Sequence, residues 1–415
     1  VRAREAGAAG RGLALVLGAG LAWTAAGAAA ADWPHWLGPS QNGAASAGGL
    51  LERPAPRLRK AWRHAVGGGR SGLAVADGRV FTLISDGERQ HAIALRASDG
   101  GLLWSVALGP HAEDSLAPVS TPAVGGARVF VLGSDCILRA LAADSGQAHW
   151  QADLKQRFGA ELRRGCETSP FVEQGRLVLQ PGGKDEHRLV ALDAGTGELA
   201  WSAKGRERAN YSSPVAAELG GVRQAVVHHI ATLENGQASG LSGFRLGDGA
   251  LLWSATFERN VSLETPLVIP EGVLLLTWND ARLARVSRSG DAWTLQTVWN
   301  NQAFKSRISP PVYRDGHLYG FKEDDLVCVK AATGELVWRE RVYPGSAILV
   351  DGRLVVLSAN AGLVRVVEAT PLGYREAARL EVLNRGAQAE TPPSFAGDSI
   401  FVRNDEEVAA VVVER

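Results

Sequence analysis

Between residues 189 and 201 the chain runs Leu-Val-Ala-Leu, then a polar stretch holding Asp193, Gly195, Thr196 and Gly197, then Glu-Leu-Ala-Trp. An apolar run, a turn and a second run closed by a large ring predict a tight hairpin of two short strands, with glycine where the turn needs positive φ. The pattern recurs at 92–104, 138–150, 241–253 and 326–338. A glycine stands four residues before each closing tryptophan, at Gly100, Gly146, Gly249 and Gly334. Each tryptophan then offers a ring to pack on something outside its own hairpin.

Following that ring along the chain gives Trp62, Trp104, Trp150, Trp201, Trp253, Trp299 and Trp338, spaced 39 to 52 residues apart. Within each interval stand a Ser/Thr-Pro or Pro-Pro start, a glycine-containing turn, an apolar strand, a second turn and the hairpin. That is four strands per unit. Starts fall at Thr121-Pro122, Ser169-Pro170, Ser213-Pro214, Thr265-Pro266 and Pro310-Pro311. After Trp338 the units are worn: 346–358 with 363–367 forms a seventh, with 374–380 in place of the tryptophan strand. Thr391, Pro392 and Pro393, then 399–403 and 408–413, supply three strands of an eighth. Trp62 has no preceding three strands, so 60–66 completes that last unit from the other end of the chain. Residues 59–415 shared among eight units leave about 45 each, the size of a four-stranded blade. The expected fold is all-β: an eight-bladed β-propeller of four-stranded antiparallel blades with tryptophan docking, closed by its N- and C-terminal strands, which removes free sheet edges.

Three segments follow: 1–31 as a signal peptide, 32–58 as an N-terminal strap and 59–415 as the propeller. Arg2, Arg4 and Arg11 precede an apolar run over 12–23, and the small-residue tract 25–31 offers an Ala-x-Ala cleavage site. Export without a retained membrane span is expected, to the periplasm or beyond, and without a lipid anchor, since no cysteine follows the run. An uncleaved N-terminal anchor is the other reading. The strap, with Trp33 and Trp36 around Pro34 and further prolines at 39, 54 and 56, is expected to be extended, its tryptophans covering an apolar patch. Lysine plus arginine equals aspartate plus glutamate, 44 against 44, so no field draws the chain to nucleic acid or anionic lipid. Cys136, Cys166 and Cys328 lie in different units without metal-ligand spacing; at most one disulfide can form, and buried thiols are expected.

Ala191-x-Asp193-x-x-Thr196-Gly197-x-x-x-Trp201 resembles the docking motif of quinoprotein (PQQ) repeat propellers. The segments 32–39, 180–184, 211–215 and 367–376 resemble exported PQQ-like repeat proteins of the planctomycete type. The resemblance spans nearly all of 32–415 and implies eight blades with each tryptophan packed between neighbours. It extends to two better-understood branches. One is the PQQ- and calcium-dependent alcohol and glucose dehydrogenases; this chain has neither the adjacent cysteines of the alcohol enzymes nor a Cys-x-x-Cys-His for haem. The other is BamB, an outer-membrane assembly scaffold that is similar in its bare repeats and size.

Residues just before the innermost strands should ring the channel mouth: Arg70, Glu167, Tyr211, Glu264, Lys305, Arg307 and Glu390. Such a funnel could hold a cation, a sugar or a peptide terminus, or could be a ring of neutralising ion pairs. Three carboxylates would suit calcium if the strands bring them within reach. Trp278, Asn279 and Asp280 form a further turn that could touch a ligand. His228 and His229 alternate on one strand and cannot share an ion. No catalytic residue, metal site or cofactor is expected. The functional expectation is a monomeric exported protein that binds a protein or small polar ligand, with a dehydrogenase using PQQ and calcium as the alternative.

Overall fold

The computed structural model describes residues 32–414 apart from 112–117, 161–165, 183–186, 206–207, 210–211, 234–235, 258–263, 278–279 and 306–308. The expected signal segment therefore lies outside the described residues, as do Tyr211, Trp278, Asn279 and Arg307.

Eight antiparallel sheets follow one another along the chain. Blade 1 comprises Ala74–Ala76, Arg79–Ser85, Arg89–Arg96 and Leu102–Pro110; blade 2 comprises Ala123–Gly125, Arg128–Leu132, Ile137–Ala142 and Ala148–Asp153. Blade 3 is Phe171–Glu173, Arg176–Leu179, Leu189–Asp193 and Leu199–Ala203. Blade 4 is Val215–Leu219, Val222–Leu233, Gly236–Arg245 and Leu251–Phe257, with Arg208–Ala209 added beside its second strand. Blades 5 and 6 run Leu267–Ile269, Gly272–Leu276, Ala281–Ser289, Ala292–Asn301 and Val312–Arg314, His317–Lys322, Asp325–Lys330, Leu336–Arg341. Blade 7 is Gly345–Val350, Arg353–Ser358, Leu363–Glu368 and Glu376–Glu381. Blade 8 takes Ser394–Ala396, Ser399–Arg403 and Glu407–Glu414 from the C-terminus and Arg57–Ala65 from the N-terminal side. That last pair runs antiparallel from Arg57 opposite Glu414 to Ala65 opposite Glu407, so the two ends of the chain close the ring. First strands such as Ala74–Ala76 are wholly buried and fourth strands such as Leu336–Arg341 mostly exposed, which puts the first strand of each blade innermost.

Neighbouring blades are joined at two levels. On the outside, the indole N–H of Trp62, Trp104, Trp150, Trp201, Trp299 and Trp338 donates to a carbonyl of the next blade at 2.8 to 3.2 Å. Five of those rings lie over the next blade's turn glycine: a Cβ on Gly100, Gly146, Gly197, Gly249 or Gly334 would sit 2.4 to 2.9 Å from ring atoms. Each of these glycines is held at φ of 71 to 75°. The position is thus required twice, by the turn and by the neighbour's ring. Trp253 departs from this pattern. Its N–H donates to Gln224 Oε1 of its own blade at 2.7 Å. Blade 5 has Leu295, not glycine, four residues before its tryptophan, so it offers no turn glycine to receive the ring. A long hairpin, Ala281–Ser289 with Ala292–Asn301, instead lays Val286, Trp293 and Leu295 against the apolar cluster of blade 4.

On the inside, the Ser/Thr-Pro starts form a hydrogen-bonded belt. Gly72 N donates to Thr121 Oγ1, Thr121 N to Ser169 Oγ, Ser169 N to Ser213 Oγ and Ser213 N to Thr265 Oγ1, linking blades 1 to 5. A second row runs beside it, from Ser71 Oγ to Ser120 O, Ser120 Oγ to Thr168 O and Thr168 Oγ1 to Ser212 O. At the closing seam Arg403 of blade 8 interrupts the pattern, donating to Ser71 O, Thr82 Oγ1 and Leu83 O of blade 1.

The strap is neither extended nor external. Trp33 pairs through its backbone with Val75 of blade 1, and Pro34 O accepts from Val124 N of blade 2. Trp36 Nε1 reaches Thr265 Oγ1 of blade 5 at 3.1 Å. Gln41 uses its side-chain amide as a strand would, donating to Pro214 O and accepting from Ala216 N of blade 4. Ala44–Ala45 then adds a parallel strand beside Leu349 and Val350 of blade 7. Blades 1 and 5 face each other across an eight-membered ring, so a segment that holds both within four residues must cross the channel. Left-handed backbone at Leu37, Gly38, Gln41 and Gly43 folds it into the turns this crossing needs. Trp33 is 2% exposed within the largest apolar cluster, which also holds Leu51 and the inner residues of blades 7, 8 and 1.

Candidate functional site

The strap's ends lie where innermost strands end, Asp32 accepting from Asp77 N and Ala47 N donating to Asp351, and the mouth residues expected from the sequence lie at the other face, where those strands begin. Arg70 and Glu390, from adjacent blades 1 and 8, meet there in an ion pair of 2.9 Å. Lys305 pairs at 2.7 Å with Glu323, in the turn between the second and third strands of blade 6, and its backbone bridges to Lys322 beside that turn. Neither Glu167 nor Glu264 is without a partner. Among the described residues no three His, Cys, Asp or Glu side chains converge at metal-binding range, so the three mouth carboxylates do not form a calcium donor set.

Glu264 is the most perturbed of these groups. Its surface is partly open, yet protein surrounds the carboxyl, as expected for a group lining a narrow channel, and this desolvation raises its pKa to about 8. Burial therefore favours its protonated form. Its carbonyl accepts from His228 Nδ1 at 3.2 Å, and His228 Nε2 lies 3.1 Å from Ser239 Oγ. His229 goes elsewhere: the buried guanidinium of Arg188 donates to its Nδ1 at 2.5 Å, and to Ser242 Oγ at 2.6 Å. Burial holds His228 at about 4; burial, with Arg188 and then His228 beside it, takes His229 to about 2. His35 of the strap is likewise held neutral, at about 4, by burial.

The expectation of three thiols is corrected. Cys136 and Cys166 form a disulfide, their Cα atoms 5.0 Å apart; Cys328 alone is free and buried. Cys136 sits in the turn between the second and third strands of blade 2, and Cys166 immediately precedes blade 3. Both positions face the same mouth, so the bridge staples adjacent blades there despite lying in different repeats.

Three features escaped sequence reasoning: Trp36 as a channel residue, Gln41 as a strand mimic, and Arg403 and Arg188 as buried cations. For Arg403 a signal existed, a charge ending an otherwise apolar strand, Ser-Ile-Phe-Val-Arg. Trp36 and Gln41 carry no local signal, since their partners are more than 170 residues away.

The family model described as outer membrane protein assembly factor BamB matches residues 55–165, 152–320 and 279–372. The chain belongs to this BamB family of PQQ-type repeats. Its BamB relative from Moranella endobia (strain PCIT) is 24% identical over 308 residues, 71% of each chain. Among solved structures, BamB from Moraxella catarrhalis aligns with a TM-score of 0.60 at 14% identity, covering 86% of this chain and 98% of that one. Quinohemoprotein alcohol dehydrogenase from Comamonas testosteroni aligns at 0.68 and 12% identity, covering 92% and 80%. Both structural likenesses speak to the fold, which BamB proteins and quinoproteins share. No described helix of this BamB-family chain is long and apolar enough to cross a membrane.

Proposed function

We propose that this chain is an exported binding or scaffolding protein, a monomeric propeller that presents one open funnel to a protein or small polar ligand, and not a quinone-dependent oxidase. The observation that carries this reading is the pairing within the mouth. Arg70 is held by Glu390 and Lys305 by Glu323, leaving neither described cation uncommitted for the carboxylates of PQQ. The described side chains also supply no calcium donor set. The family name supports a role beside outer-membrane protein assembly, and the composition of 2–31 supports export. The test is to titrate the full chain with PQQ and calcium and follow quinone absorbance and dye reduction with alcohols or sugars. No retained chromophore and no turnover are expected. Dye reduction that Glu264→Ala abolishes would overturn the reading in favour of the dehydrogenase.

A further inference from the structure

We propose that the seam where the ring closes binds a small monovalent inorganic anion, of which chloride is the common example, between the guanidinium of Arg403 and the loop Gly67-Gly68-Gly69. The site is independent of whatever the funnel binds.

The belt shows why a cation is buried there. From blade 1 to blade 5, each backbone N–H of the belt finds a hydroxyl on the next blade. Blade 1 has no hydroxyl to return to blade 8, because its belt residue is Gly72, where a Cβ would stand 2.4 Å from Thr121 Oγ1. Arg403 spans that joint instead, and it is 1% exposed. Its Nη1 serves Ser71 O, Thr82 Oγ1 and Leu83 O, and its Nε serves Asn404 O. All four acceptors are neutral. They satisfy N–H groups but do not compensate the charge, and a buried charge is costly unless it is paired. Asp405 lies near enough to act on that charge, yet its buried Oδ1 meets no hydrogen-bond donor among the described residues.

Unused donors gather at this joint. Nη2 of Arg403, with two N–H groups, has no hydrogen-bond partner among the described residues, and neither has Nδ2 of Asn404, which is 2% exposed. Gly69 stands beside Nη2, since a Cβ on it would lie 3.1 Å away. With glycine at 67, 68 and 69, no side chain from this loop covers the guanidinium. Val66, Gly68 and Arg70 donate their N–H groups to Glu406, Ser85 and Pro118, whereas those of Gly67 and Gly69 are not engaged among the described residues. Buried groups left in this way call for a bound ion or water, and donors in excess around one uncompensated positive charge favour an anion. Asp405 sets its class. Beside that carboxylate, a dianion such as sulfate would bring more negative charge than Arg403 can balance, and Arg70 is already matched by Glu390. The loops that form the seam, 66–73, 382–393 and 404–406, are all described.

Crystals of the full chain grown in sodium bromide test the position. An anomalous peak within hydrogen-bonding reach of Arg403 Nη2 is expected, and a water there without anomalous signal overturns the proposal. In solution, chloride replacing bulky gluconate at constant ionic strength should raise Tm along a saturating curve, as a ligand bound only by the folded state does. Arg403→Met should lose that response. A wild-type Tm indifferent to the exchange makes any bromide peak an adventitious ion only, and a chloride response retained in Arg403→Met is equally fatal. If Arg403→Met does not fold, the chloride NMR line replaces it: the wild-type chain must broaden the line and bromide must reverse the broadening, and an unbroadened line overturns the proposal.

Discussion

Four desolvated groups make stability depend on pH in opposite directions, and the net profile is predictable. His35, His228 and His229 are neutral in the fold down to about 4, 4 and 2, whereas the unfolded chain takes up those protons near 6.5. Stability from these groups is lost as pH falls below 6.5. Glu264 has the opposite sign. Its folded pKa of about 8 lies above the unfolded 4.5, so its contribution is intact below 4.5 and is lost as pH rises towards 8. One proton of difference tilts stability by about 1.4 kcal/mol per pH unit. Between pH 4.5 and 6.5 three histidine protons oppose one carboxyl proton, and stability climbs by up to about 2.7 kcal/mol per unit. Above 6.5 only Glu264 remains, and stability falls by roughly 2 kcal/mol by pH 8, about 3 °C in Tm for a domain of this size. Thermal unfolding at pH 5, 6.5 and 8 should therefore peak near 6.5. Glu264→Gln should flatten the alkaline limb and keep the acid one. A wild-type Tm that stays level or rises from 6.5 to 8, or an alkaline limb unchanged in Glu264→Gln, would refute the reasoning.

Four further perturbations test the joints between blades. Trp104→Ala should cost about 3–5 kcal/mol by removing the ring over Gly146, and Gly146→Ala should cost about 1–3 kcal/mol through strained φ and collision with that ring; urea midpoints measure both. Arg403→Met should lower stability by about 3 kcal/mol, roughly one for each of the three acceptors lost across the seam, with hydrogen exchange of Arg57–Ala65 rising most. Cys136→Ala with Cys166→Ala should lose about 3–4 kcal/mol, the loop entropy of a 30-residue separation, and an unchanged urea midpoint would contradict a formed bridge.

The propeller was legible because its information is local and repeated. A turn glycine and a tryptophan four residues beyond it describe one hairpin, and five copies among seven tryptophans spaced 39 to 52 residues apart leave little freedom of architecture. Ring closure followed from a strand missing at one end and surplus at the other. What was not legible depends on the third dimension. The strap's glycines and prolines fit an exposed connector as well as a channel plug, and only the partners of Trp36 and Gln41 decide between them. Lys305 was placed by its offset from the next strand, but nothing in that offset announces its ion pair with Glu323, which follows from the backbone bridge to Lys322. The disulfide was hidden because equivalent spacing within a repeat is not where blades touch: the inner turn of one blade lies beside the start of the next.

That geometry bears on function. A propeller open at both ends offers a pore, but here Trp33 to Ala45 binds blades 1, 2, 4, 5 and 7 along their inner edges. Those contacts are made with innermost strands, the same edges that would otherwise line a through-channel. Stiffening is concentrated where those strands begin, where the belt and Cys136–Cys166 tie neighbouring blades together. This bracing lies on the inner edges of the blades. It leaves the outer strands, with their exposed Leu102, Leu199, Leu251 and Leu336 repeating at one position of the blade, as a separate surface that the funnel does not control.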